Sequence, residues 1–450
     1  MRIAFLTLGC KVNYYESEKM MEAFRKKGFS VVDFTDDADI YVVNTCTVTN
    51  IADRKSRQML HRARKNNPQA LIVAVGCYVD SAGEAVDADE TIDIAFGNKD
   101  KPVITERIEA ALENRLKSRD HMQTTEDVQE TAGMSGESVP GSDTHKQRTR
   151  AFIKVQDGCN QFCSYCLIPY VRGRGELSST PPEQVVKEVE ERVANGCREV
   201  VLTGIHLSSY GITEKRADGF VRAGGEPLRD LIGRVNRVEG LKRIRLGSLE
   251  PRIITREWLE GLKDCDKLCP HFHLSLQSGS DATLQRMNRH YTTAEFTEKA
   301  ELLREFYEKP AITTDVIVGF PGETEEEFAE TVDFLDSIGF ADLHIFQYSM
   351  RDGTRAAAMA DQIPPEVKKE RSELLLERTK RWRETYIREQ EKAETGILFE
   401  EYESVGGERI LTGFNERYVR YGIPEQTARE RGLEPGMVVR LRREDIRQAE

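Results

Sequence analysis

Three apolar runs of strand type near the start of the chain, IAFLTLGC, DIYVVNTC and ALIVAVGC, each end in a cysteine: Cys10, Cys46 and Cys77. No other feature narrows the possible folds as much. Runs of this kind, separated by amphipathic helical stretches, read as neighbouring parallel strands of one α/β layer. Their carboxyl ends share an edge, which is where open α/β sheets place their sites. In such a layer the three thiols converge. Cysteine is also a small, readily buried residue, and packing accounts for any one of the three. Packing has no reason to repeat the same strand position three times.

A second triple, Cys159-x3-Cys163-x2-Cys166, lies in KVQDGCNQFCSYCLIPYVRGRGE, directly after the predicted strand AFIKVQ. Three thiolates in one short loop can hold three irons of a four-iron cluster and leave the fourth open to a reactant. As a zinc site the triple lacks an obvious nearby fourth ligand, and its spacing is not that of a finger. Each triple is therefore read as the ligand set of a 4Fe-4S cluster. The chain has nine cysteines, an odd number. The start, MRIAFLTLGCKVNYYESEK, is expected to be a first strand rather than a secretory signal, so a reducing cytoplasm is expected, with thiols that serve metals. No apolar run approaches membrane-spanning length.

The chain of 450 residues is long enough for two or three domains. The expected divisions are an open parallel α/β domain over 1–114, a polar linker or mobile loop over 115–149, a central domain over 150–385, and a small β domain over 386–450. In the central domain six strand-like runs, AFIKVQ, REVVLTG, RIRLGS, HFHLSLQ, AITTDVIVGF and ADLHIFQYS, alternate with helical stretches, the pattern of a partial (β/α)6 barrel. Its long charged helix, from residue 364, bridges to the tail. There GILFEEYE, ERILTGF, YVRYGIP and MVVRLRRE, with arginines among aromatics, suit a small β-barrel that grips RNA; a plain structural or oligomerisation barrel fits as well. Net charge is 65 minus 77, or −12, which argues weakly against nucleic acid as a partner. Residues 53–65 nevertheless concentrate Arg54, Lys55, Arg57, Arg62, Arg64 and Lys65 on one predicted helix beside the first triple, where a solvated helix face is the plainer reading.

With Tyr165 in the aromatic slot of Cys-x3-Cys-x-aromatic-Cys, the central loop resembles the radical S-adenosylmethionine superfamily. The resemblance implies that Cys159, Cys163 and Cys166 are catalytic, that the open iron chelates the amino and carboxylate groups of S-adenosylmethionine, and that one electron cleaves it to methionine and a 5′-deoxyadenosyl radical. Tyr165 would lie near the adenine. The strand ends LTGIH (Thr203, Gly204), HLSLQSG (Ser275, Gln277) and DVIVGFPGET (Asp315) match the family's cofactor contacts less specifically, and structural hydrogen bonding explains them nearly as well.

Together with Cys10, Cys46, Cys77 and the β tail, the whole chain resembles the methylthiotransferases, which carry an amino-terminal cluster domain, a radical barrel and a terminal TRAM domain. TLGCKVNYYESE and KVQDGCNQFCSYCLIPYVRG are most similar to the tRNA enzymes that convert N6-threonylcarbamoyladenosine, beside the anticodon, into its 2-methylthio form. Isopentenyladenosine in tRNA and an aspartate of a ribosomal protein are the alternative substrates within that family. The resemblance implies an auxiliary cluster as sulfur site, both triples facing one cavity, and tRNA and S-adenosylmethionine as partners; a separate electron donor, no membrane and a monomer are also expected. His206 departs from the family pattern. Cys197 is left unassigned, Cys265 and Cys269 are expected to be structural, and His271 and His273 to pack or support the barrel.

Overall fold

A computed structural model describes residues 1–120, 149–212, 224–390 and 394–449. The chain divides into two units, Met1–Lys146 and Gln147–Glu450. In the first, the β-branched runs become β1 (Arg2–Thr7), β2 (Ser30–Val32), β3 (Ile40–Thr45), β4 (Leu71–Gly76) and β5 (Ile94–Phe96), all parallel, in the order β2-β1-β3-β4-β5. Every residue of β3 and β4 is buried, as a sheet covered on both faces requires. Ile3, Val42 and Val73 pack to one side, Ala4, Tyr41 and Ile72 to the other. Helix α1 (Lys11–Lys26) ends where Gly28, at φ +87°, donates its N–H to Arg25 O. Helix α2 (Asn50–Asn66) starts on Thr49, whose hydroxyl accepts the Ala52 N–H. The last helix of this unit, Ile104–Asp120, runs past residue 114, so regular structure enters the segment expected to be a linker; 121–148 lies outside the described residues.

In the second unit, β6 (Arg150–Asp157), β7 (Ser178–Ser179), β8 (Glu199–Gly204) and β9 (Arg243–Leu246) form one sheet, ordered β7-β6-β8-β9. β10 (His271–His273), β11 (Ala311–Val318) and β12 (Asp342–Gln347) form another. Bridges Ile244↔Leu268 and Leu249↔Leu274 join the two. The six expected parallel strands thus follow one another as a partial barrel, with β7 a short antiparallel addition. Amphipathic helices such as Pro182–Ala194, Glu226–Asn236 and Glu325–Ile338 cover its outside, where Ile153, Val200, Leu202, Ile244, Phe272, Ile312 and Val316 make one core. The alternate residues of the same strands face the barrel interior, and many are polar: Lys154, Thr203, Arg245, His273, Thr313 and Asp315.

After the long helix Pro365–Gln390, the tail folds as an antiparallel sheet of β13 (Thr395–Val405), β14 (Glu408–Asn415), β15 (Arg420–Pro424), β16 (Val438–Leu441) and β17 (Arg447–Gln448), ordered β16-β13-β14-β15-β17. It meets the barrel at the amino-terminal ends of the barrel strands. Arg243 donates to Phe414 O (2.8 Å) and Gly396 O (2.7 Å), and Arg245 to Glu416 O (3.0 Å) and Asn415 O (3.2 Å). Glu199, at the start of β8, neutralises Arg150, Arg243 and Arg245, and the two guanidiniums of Arg150 and Arg245 stack on the Tyr418 ring. One end of the barrel is thereby closed, leaving the carboxyl end for chemistry. No helix among the described residues is long and apolar enough to cross a membrane.

Candidate functional site

Strands β1, β3 and β4 are adjacent and in register, Thr7 opposite Asn44 and Thr45 opposite Gly76, so the residues that follow leave the sheet along one edge. Cys10, Cys46 and Cys77 are those residues, the first exposed and the other two buried. The approach is close: a Cβ on Gly9, which sits at φ +95°, would lie 2.8 Å from the Cys46 Cβ and Sγ. Polar side chains lash the three loops together. Asn13 donates to Leu8 O (2.8 Å) and Thr45 O (3.0 Å), Asn44 to Asn13 O and Ser17 Oγ, Thr45 to Val75 O, and Ser56 to Cys46 O. Asn98 Nδ2 approaches Cys77 Sγ at 3.5 Å and also donates to Asp80. Burial above all pushes the Cys46 thiol up to about 11, and the neighbouring Cys77 and Cys10 push the same way. Such a thiol ionises readily only when a metal accepts its charge.

The basic helix α2 divides its six cations. Arg54, Lys55 and Arg57, in its first half, are exposed. Arg64 instead turns inward and donates to Pro68 O, Ala70 O, Thr91 O and Asp93, a structural role that the charge pattern does not reveal.

The second triple occupies the loop that leaves β6. Gly158, at φ +80°, lets that loop pass against the backbone of Glu176, whose carbonyl oxygen would lie 1.9 Å from a Cβ there. Gln156 ties this loop to the end of β8, donating to Gly158 O and accepting the His206 N–H, both at 2.8 Å. From the other side the segment Arg286–Tyr291 clamps the cysteines. The Ser164 N–H donates to Met287 O (3.0 Å) and its hydroxyl to Arg286 O (2.7 Å), while Asn288 Nδ2 donates to Phe162 O (3.1 Å). Arg289 donates to Cys163 Sγ (3.2 Å) and Ser275 O (3.3 Å), and Tyr291 to Leu276 O (2.7 Å). Arg289, Asn288 and Tyr291 were not singled out by sequence reasoning. Their polar stretch RMNRHY is recognisable only as a connection between helices, and nothing local shows that it meets a loop more than a hundred residues earlier.

Burial pushes the Cys159 thiol up to about 12, and Cys166 is raised for the same first reason. Tyr165 lies against Met287, Phe320, Tyr348 and Ala356, edge-on to Phe320 at 6.3 Å. Thr203 and Gly204 stand at the end of β8, and Ser275 and Gln277 follow β10, Gln277 in a left-handed conformation at φ +78°. His206 is held by its Nδ1 against Ser209 Oγ at 2.6 Å, and burial lowers its pKa to about 4, so it is neutral at physiological pH. Asp315 lies deeper, between two imidazoles: His273 Nε2 is 3.2 Å and His344 Nδ1 3.1 Å from its oxygens. Burial raises the Asp315 pKa, but the two imidazoles outweigh that and hold it below the usual carboxylate range. Cys197 and Cys269 are buried and Cys265 packs partly buried against the barrel core, as structural residues do.

Both donor sets fit iron-sulfur clusters. Each offers three free thiols, the number that holds a four-iron cluster with one iron left open.

Residues 153–335 match the radical SAM superfamily, and residues 2–97 match a family described as uncharacterized protein family UPF0004. Among curated proteins, the threonylcarbamoyladenosine tRNA methylthiotransferase MtaB of Bacillus subtilis is 38% identical over 93% of this chain and 89% of its own length. Its counterpart from Aquifex aeolicus is 37% identical over 94% and 98%. The chain belongs to this methylthiotransferase family. A tRNA-2-methylthio-N(6)-dimethylallyladenosine synthase from Caldicellulosiruptor saccharolyticus is 35% identical, but over 82% of this chain and 76% of its own. Of solved structures, the radical S-adenosylmethionine methyltransferase TsrM from Kitasatospora setae superposes with a TM-score of 0.53 at 16% identity, covering 77% of this chain and 74% of that one, a likeness of fold alone. Membership of the family sets the cofactors of this chain as 4Fe-4S clusters and S-adenosylmethionine.

Proposed function

We propose that this chain is a radical enzyme that methylthiolates carbon 2 of N6-threonylcarbamoyladenosine next to the anticodon of tRNA. The observation that carries the reading is the pair of cysteine triples, one at the carboxyl edge of a parallel sheet and one at the mouth of a radical SAM barrel, in a chain 38% identical to an MtaB enzyme over nearly its whole length. Carbon 2 of adenine bears a hydrogen too weakly acidic for any side-chain base, so a polar route is closed and radical chemistry is called for. When bound, the clusters and S-adenosylmethionine supply the radical and the methylated sulfur that such a substitution needs.

The residues of the chain hold and position. Cys159, Cys163 and Cys166 ligate the cluster that works on S-adenosylmethionine, and Cys10, Cys46 and Cys77 ligate the sulfur-donating one. Arg289 fixes Cys163 and sets a positive charge beside the cluster ligands. Tyr165, Thr203, Gly204, Ser275 and Gln277 line the carboxyl end of the barrel as contacts for S-adenosylmethionine. Asp315, whose carboxylate is taken up by two imidazoles, is the member of the expected set least available to it. The exposed cations of α2 suit the phosphates of the RNA. The enzyme works as a monomer in the cytoplasm and draws its electrons from a separate reductant.

The test is mass spectrometry of tRNA nucleosides from cells lacking the protein and from the same cells with it restored. Selective loss and return of the 2-methylthio threonylcarbamoyl nucleoside is expected. Loss of the 2-methylthio isopentenyl nucleoside would overturn the substrate and keep the chemistry, and no change in either would turn attention to a ribosomal-protein aspartate.

A further inference from the structure

Three polar residues of the barrel's inner face form a cluster that the cysteine chemistry leaves unused. His273 on β10, Asp315 on β11 and His344 on β12 stand on three consecutive parallel strands, with Thr313 paired to His273 and Asp315 paired to His344 in the ladders. One donor atom from each lies within 4.8 Å of the other two, the one such grouping among the described residues. We propose that His273, Asp315 and His344 bind a single divalent first-row transition ion of the zinc class, in a site built without cysteine and distinct from both cluster sites.

The spacing carries the argument first. His273 Nε2 lies 3.2 Å from one oxygen of Asp315, and His344 Nδ1 lies 3.1 Å from the other. Ligands at the usual zinc–nitrogen and zinc–oxygen bond lengths stand about 3.3 Å apart along a tetrahedral edge. An ordinary imidazole–carboxylate hydrogen bond would explain one of these contacts. The His273 Nε2, also buried, stands beside the carboxylate without a well-aligned hydrogen bond.

The surroundings support the same reading. His273 Nδ1 meets Thr313 Oγ1 at 3.0 Å, which fixes the ring. Metal-bound histidines are oriented in this way through their second nitrogen. His273 is 8% exposed, whereas the His344 side chain is 59% exposed, so one wall is rigid and the other gives an ion its way in. Two imidazoles and a carboxylate make a nitrogen–oxygen set that suits zinc, iron(II), cobalt or manganese, whereas the thiols elsewhere suit iron-sulfur clusters. Three protein ligands leave a fourth position open for water or for an oxygen of a bound molecule.

This proposal stands apart from the methylthiolation reading and is tested on its own readout. Full-length protein with both clusters reconstituted anaerobically, stripped of loose metal, is titrated with cobalt(II) alone. One equivalent should bind with visible d–d bands of nitrogen–oxygen ligation, without thiolate-to-cobalt charge transfer, and should be displaced by zinc. That equivalent should vanish in H344A and in H273A while iron and sulfide contents stay the same, and T313V should weaken it about 10–100-fold, as loss of an orienting partner does. His344 stands at the exposed edge strand, so H344A remains informative if H273A fails to fold. Cobalt uptake that persists in H344A, a thiolate charge-transfer band, or no uptake by the wild type would each overturn the proposal. An H344A effect confined to KM for tRNA, with no metal in the wild type, would make the cluster a substrate contact instead.

Discussion

Replacing Glu199 with glutamine should cost this protein about 3 kcal/mol and loosen the β module from the barrel. Glu199 is fully buried, and the side chains around it, Arg150, Arg243 and Arg245, are 14%, 4% and 2% exposed. Its oxygens lie 2.7 Å from Arg150 Nε and 3.0 Å from Arg245 Nε. Burial pushes the Glu199 pKa up, but the three guanidiniums overcome this and bring it from 4.5 down to about 2. That depression corresponds to about 3 kcal/mol. Removing one partner of a buried charge network independently costs roughly 3–5 kcal/mol, because the opposite charges stay behind without it; here Glu400, 2.8 Å from Arg150, would remain as a partial counter-charge.

Because the folded pKa is depressed, the stabilisation is complete above about 4.5 and is lost as pH falls towards about 2. Urea unfolding can be followed by the chain's two tryptophans, Trp258 and Trp382, both in this unit. At neutral pH, E199Q should unfold at clearly lower urea than the wild type. Between pH 4.5 and 2 the wild type should lose stability that E199Q never had. E305Q, at the exposed pair with Arg256, is the control and should behave as the wild type. If E199Q and E305Q unfold alike, or if the acid limbs of wild type and E199Q run parallel, the assignment of Glu199 as the keystone of this junction is wrong.

C10A should abolish methylthiolation of tRNA and leave reductive cleavage of S-adenosylmethionine intact; a variant that still modifies tRNA would remove the first triple from the sulfur-donor role. G9A places a side chain 2.8 Å from the Cys46 sulfur on a left-handed backbone, itself a strain of about 1–2 kcal/mol. Iron and sulfide analysis should show one cluster's worth lost, and full iron occupancy would contradict the close approach. R289K keeps the charge but not the fork that reaches both Cys163 Sγ and Ser275 O. Slower cleavage of S-adenosylmethionine and a shifted cluster EPR signal are expected at an unchanged melting temperature, and a wild-type spectrum and rate would reduce Arg289 to packing.

The two cysteine triples and the six strand-then-helix repeats could be read directly because the information is local. Apolar periodicity marks β1, β3, β4 and the barrel strands, and a cysteine at each strand end needs only the direction of the strands to be placed. The short strands β2, β5, β7 and β17 were not legible, since two or three residues carry no period of their own and exist only because a longer neighbour offers them a ladder. The α2 cations looked alike as letters, but Arg64 differs from Arg57 because of carbonyls that the fold brings to it.

The sequence by itself determined which thiols gather, that they gather at the carboxyl edges of parallel strands, and therefore what class of chemistry they serve. Tertiary structure decided what holds and surrounds them. The clamp of Arg286–Tyr291 on the cysteine loop, the Glu199 network beneath the barrel, and the meeting of His273, Asp315 and His344 all join residues from separate strands or distant loops. Their composition is ordinary in sequence, and only the register of strand against strand turns it into contact. A strand announces itself through its own side chains, whereas a polar cluster inside a barrel depends on which faces of several strands are turned inwards at the same height.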